Sequence, residues 1–126
     1  MKAATTLMQQ LFTRRRIMVM NKEKIIDKLE ELGWYVSTWE DSYVEIETSS
    51  PAGEDLIVDF NPHHIWKDLE ENSDSFDREE HVLMWLRQRE EGVSGIPDLD
   101  ALYEDAKDIE QMYKALADAF YDFERE

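Results

Sequence analysis

The sequence predicts an α+β fold, a three-stranded antiparallel sheet packed by helices in the order α-β-β-β-α-α-α, with a long C-terminal helix. Two observations carry this prediction. From Leu99 to Phe123, the apolar residues Leu99, Leu102, Ala106, Ile109, Tyr113, Leu116, Phe120 and Phe123 recur in alternating steps of three and four. That is the seam of one helix facing an apolar surface. Between Trp34 and Phe60, three short runs rich in aromatic and β-branched residues are separated by turn-forming residues. Connections this short join antiparallel neighbours.

Each element follows in turn. Residues 1–20 are basic, with Lys2, Arg14, Arg15 and Arg16 and no acid. They read as a disordered arm, or as an extension upstream of a natural start at Met18 or Met20. No apolar core with a cleavage site marks them for secretion. Residues 21–126 are expected to form a single acidic domain. It opens with a helix over 21–32, capped by Asn21, with Ile25, Ile26, Leu29 and Leu32 on one face and Gly33 placed to end it. Strands follow at Trp34–Trp39, Tyr43–Thr48 and Leu56–Phe60. The second places Val44 and Ile46 on one face and Glu45 and Glu47 on the other. Three strands alone are marginal, so helices must cover the inner face. Asn61-Pro62 predicts a helix start, with the helix stopping near Asn72. Asp77 predicts the cap of the next helix, whose centre Val82–Leu86 is apolar on most sides and is expected to be deeply packed. Gly92 ends it, and Asp98 caps the long helix.

Bulk properties narrow the function. The 126 residues carry a net charge of −16, and residues 21–126 hold ten basic and all thirty acidic side chains. A body so acidic repels nucleic acid and anionic membranes and favours basic protein surfaces. There is no cysteine, which excludes disulfides and thiolate metal sites. No run approaches the ~20 apolar residues of a membrane span.

Catalytic motifs are missing. There is no phosphate-binding loop, no dinucleotide fingerprint and no HExxH spacing. Adjacent helical residues point about 100° apart, so His63 and His64 do not both ligate one ion readily. The segment Asn72–Asp77 fails as a calcium loop. Its sixth and twelfth positions hold Asp77 and Leu83 where glycine and glutamate are needed. The expectation is a non-enzymatic protein with no metal and no cofactor, and the least supported alternative is a metal-dependent hydrolase using His63 or His81. What remains is the acidic surface. Glu45, Glu47 and Asp59 on the outer sheet face, and Glu104, Asp105, Asp108, Asp118 and Asp122 on the long helix, are the candidate partner-binding residues. Rows of carboxylates on rigid elements imitate the charge of duplex DNA, one per ~1.7 Å of axis.

The segments Ser50-Pro51-Ala52-Gly53-Glu54-Asp55, His81-Val82-Leu83-Met84-Trp85-Leu86 and Gly92-Val93-Ser94-Gly95-Ile96-Pro97, with the acidic helix after them, resemble small acidic proteins of phages and conjugative elements of gut bacteria. Some of those are anti-CRISPR or antirestriction inhibitors that mimic DNA. The resemblance spans residues 21–123 and carries over no residue roles. It implies an inhibitor in the bacterial cytoplasm that binds a basic nucleic-acid-binding protein, a CRISPR effector nuclease above all, and blocks its engagement of DNA. The alternative is a small interaction protein that forms a homodimer through the exposed end of the long helix, Phe120, Tyr121 and Phe123.

Overall fold

The structure is a computed structural model and describes residues 21–125. The basic segment 1–20 lies outside the described residues. The architecture is the expected one, a three-stranded antiparallel sheet and four helices in the order α-β-β-β-α-α-α. The chain divides into two compact units, one ending at Tyr35 and the other covering Val36–Glu126.

The first unit contains helix α1, residues 21–31. Asn21 is already helical and so does not sit at a cap position. Gly33, at φ +90°, ends the helix as predicted. Its N–H donates to Glu30 O at 3.0 Å and that of Trp34 to Leu29 O at 2.8 Å. This paired closure needs a left-handed residue after the last turn, a conformation glycine reaches without a Cβ penalty.

In the sheet, β1 (Tyr35–Trp39), β2 (Val44–Ser49) and β3 (Asp55–Phe60) lie in sequential order. The β2–β3 register pairs Val44 with Phe60, Ile46 with Val58 and Thr48 with Leu56. Val44, Ile46, Leu56, Val58 and Phe60 are buried, and the alternate residues face outward. Helix α2 packs on β3, and α4 packs on both α2 and α3.

Helix α2 runs Ile65–Ser75 and departs from expectation at both ends. Asn61 caps a tight turn instead of the helix. Its Oδ1 accepts from His63 N–H at 2.9 Å and its carbonyl from His64 N–H at 2.9 Å, so regular helix begins four residues on. The helix then continues past Asn72, because Leu69 is buried and Asn72 and Ser73 are themselves half-buried, so the added turn propagates on an already packed helix.

Helix α3 spans Arg78–Glu90, and Asp77 accepts from Glu79 N–H and Glu80 N–H as a cap should. Its apolar centre is less buried than expected. Val82 is 1% exposed, yet Leu83 and Met84 are 43% and 42% exposed. Among the described helices and strands it packs along α4, and five consecutive residues cannot all face one side. Gly92, at φ +91°, closes α3, and Arg89 donates to the Pro97 carbonyl across the linker.

Helix α4 spans Leu99–Arg125, about 40 Å at ~1.5 Å per residue. Asp98 Oδ1 accepts from Ala101 N–H at 2.9 Å, the predicted cap. Leu102, Ala106, Ile109, Leu116 and Phe120 of the seam are buried, and Ala117 widens the stripe. Leu99 is exposed. The apolar end expected to face solvent does so only in part: Tyr121 is exposed, whereas Phe120 is fully buried and stacks edge-on against the half-buried Phe123. No described helix is both long and apolar enough to cross a membrane.

Candidate functional site

The eight sequence-predicted acids separate into distinct environments. On the sheet, Glu45 stands opposite Asp59 in the β2–β3 register, and Glu47 stands opposite the exposed Ile57. Glu45 is committed locally. Tyr43 Oη–H donates to its Oε2 at 2.8 Å, and Ser37 Oγ lies 3.1 Å from its Oε1. The hydrogen bond to this carboxylate pushes the Tyr43 phenol up to about 12. Asp59 is exposed, and Glu47 is half-buried.

On α4, Glu104, Asp118 and Asp122 are exposed and Asp108 is half-buried. Asp118 lines an open groove of about 610 Å³ between α2 and α4, together with Glu70, Asp74, Trp66 and Tyr121. Trp66 and Tyr121 meet edge to face at 5.1 Å, which gives the groove a rigid aromatic wall. Glu110 and Lys114 also line it. Arg78 of α3 holds Glu110 in an ion pair and lowers its carboxyl below the ordinary range.

Asp105 is the correction. It was expected in the exposed row and is 6% exposed. It lies one residue before Ala106 on the flank of the seam, and α3 packs over that flank. There it faces Glu54 and His81, which sit on two other elements.

Each member of this cluster is placed by local chemistry. Glu54 ends the β2–β3 loop. Ser50 is buried, accepts from Gly53 N–H at 2.8 Å through its carbonyl, and donates from its own N–H to Glu54 O at 2.8 Å. Its Oγ accepts from Glu54 N–H at 3.1 Å. Pro51 and Gly53 occupy the second and fourth turn positions that they favour. His81 closes the first turn of α3, its N–H donating to the Asp77 carbonyl at 3.0 Å.

His81 Nε2 is 2.9 Å from Glu54 Oε2 and 3.9 Å from Asp105 Oδ2. Trp85, one turn on, directs its indole N–H at the same nitrogen at 3.3 Å. Phe76 and Trp85 bracket the imidazole at ring distances of 5.4 Å and 6.5 Å. Burial pushes the Glu54 carboxyl up, and the adjoining Asp105 carboxyl adds to the rise against the opposing pull of His81. Tyr113 is raised as well, by burial and then by the Glu54 charge. Asp105 Oδ1 is buried without a hydrogen-bond partner.

Of these three residues, sequence reasoning weighed only His81 as a ligand, beside His63 and His64, and gave Glu54 no role. The three residues are 27 and 24 positions apart, so spacing gives no motif. One signal was available. Asp105 occupies the helical flank that Met112 shares one heptad later, and an acid on a flank that bears apolar residues is a buried acid in waiting. His63 and His64 are exposed and lie outside the cluster.

Compared with protein-family models, with curated protein sequences and with solved structures, the chain matches none.

Proposed function

We propose that this chain acts by binding and not by catalysis, as an acidic inhibitor that occupies the basic surface with which another protein engages nucleic acid. The observation that carries this reading is the groove between α2 and α4. Glu70, Asp74 and Asp118 project from two packed helices beside a Trp66–Tyr121 wall. Carboxylates held on rigid elements present a fixed field, and a field of this sign attracts a surface built for phosphates. The aromatic wall adds apolar area and a face for arginine, which dominates such surfaces. A CRISPR effector nuclease, the target implied by the resemblance, is the specific case.

The test is inhibition of DNA cleavage by a purified CRISPR effector nuclease, with this protein titrated in at several salt concentrations. Competitive loss of DNA binding that weakens steeply with salt is the expected result. Capture that is indifferent to salt, or that leaves DNA binding intact, overturns the proposal.

A further inference from the structure

The buried cluster of Glu54, His81 and Asp105 has no part in acidic docking, and its composition needs a separate account. Two carboxylates and an imidazole nitrogen, from a loop and two helices, converge so that their ligand atoms all lie within 4.8 Å of one another. Their side chains are 18%, 11% and 7% exposed, respectively. Two carboxylates brought together out of water repel unless a proton or a cation lies between them. Asp105 Oδ1 is buried and unpartnered, so the protein itself leaves part of this demand unmet.

We propose that Glu54, His81 and Asp105 form a binding site for a divalent metal ion of the Zn²⁺ class. One imidazole nitrogen with two carboxylate oxygens is a donor set Zn²⁺ accepts. Zinc bonds of ~2.0–2.1 Å in a tetrahedron put neighbouring ligand atoms roughly 3.3 Å apart. The Nε2 distances of 2.9 Å to Glu54 and 3.9 Å to Asp105 straddle that value. These two pairs need shifts of about half an ångström, all three ligand atoms already lie within 4.8 Å of one another, and ligation displaces the Trp85 indole N–H from Nε2. Calcium and magnesium are disfavoured, since both prefer all-oxygen shells of six or more ligands. Low exposure and the enclosing Phe76 and Trp85 rings fit a structural ion. It would tie the β2–β3 loop to α3 and α4, with the fourth position left for water.

The test uses the full chain after chelator treatment, titrated calorimetrically with Zn²⁺ at neutral pH. One site per chain is expected. With free Zn²⁺ about a hundredfold above Kd, the unfolding midpoint should rise by roughly 10 °C. Co²⁺ in its place should give the visible bands of a four-coordinate N/O site, a readout independent of stability. Glu54→Gln with Asp105→Asn keeps the shapes and should abolish heat, thermal shift and bands alike. His63→Ala with His64→Ala should change none of them. Absence of both the Zn²⁺ thermal shift and the Co²⁺ bands in the wild-type chain overturns the proposal. So does retention of both in the Glu54/Asp105 variant, or their loss in the His63/His64 variant.

Discussion

At the scale of single residues, the structure sets apart carboxylates that look alike in sequence. Glu45 and Asp105 were both candidates for an exposed acidic surface. Glu45 instead accepts from Tyr43, and Asp105 is enclosed with Glu54 and His81. Each commitment has a measurable consequence. Tyr43 is raised by its hydrogen bond to the Glu45 carboxylate, then by burial and nearby acids, to about 12 from an ordinary 10.0. A folded-state value above the unfolded one means the contribution is fully present below pH 10 and is lost as pH rises through 12. The phenolate absorbance difference between wild type and Tyr43→Phe should therefore appear near pH 12, and should move down toward pH 10 once Glu45→Gln is introduced, with burial, Asp59 and Glu40 keeping it above the ordinary value. An unshifted curve in the Gln variant would show that Glu45 does not hold the phenol. For Asp105, replacement by Asn gives the orphaned position an amide that can donate to Glu54. In chelator-treated protein at neutral pH, Asp105→Asn should raise stability by about 1 kcal/mol in urea unfolding, the scale of one satisfied buried polar group.

At the scale of elements, the sequence was most informative where one periodicity or one cap decides the outcome. The α4 seam is long enough that spacing marks its buried face, and Leu102, Ala106, Ile109, Leu116 and Phe120 are all buried, whereas Leu99 at its start is exposed and Tyr113 and Phe123 are half-buried. Asp77 and Asp98 cap their helices through side-chain chemistry that is entirely local. Helix α2 was less legible. Its start depends on whether Asn61 closes a turn or a helix, and its end depends on packing against β3 and α4. Helix α3 shows the same limit, since five consecutive apolar residues name no face until α4 selects Val82. The candidate metal cluster was the least legible of all, because three elements meet there and only tertiary packing joins them. Two predictions belong at this scale. Ile109→Ala, at a site with no exposure, should cost about 2–5 kcal/mol in chemical unfolding. Asp98→Ala, which removes one cap, should cost about 1 kcal/mol and leave cooperativity unchanged.

At the scale of the whole molecule, charge is the dominant fact, and the two acidic surfaces compete to explain it. The sheet face offers Asp59 and Glu47 around an exposed Ile57, with Glu45 already engaged by Tyr43. The α2–α4 face offers Asp118 with Glu70 and Asp74 beside an aromatic wall, and Asp122 one turn further along α4. A net −16 adds a long-range attraction common to both faces, so net charge alone cannot tell them apart. Paired charge reversals can. Asp118→Lys with Asp122→Lys and Glu47→Lys with Asp59→Lys each change net charge by the same amount. At low ionic strength, where the Debye length is ~30 Å, both pairs should slow association with a basic nucleic-acid-binding target to a similar degree. Near physiological ionic strength the length falls to ~8 Å, and only charges in the contact should still matter. There the α4 pair should weaken binding at least tenfold, mainly through faster dissociation, and the sheet pair should change it by less than about threefold. Dissociation rates measured by surface-immobilised kinetics at the two salt concentrations separate these outcomes. Equal effects of the two pairs at physiological salt would mean that the groove between α2 and α4 is not the docking face.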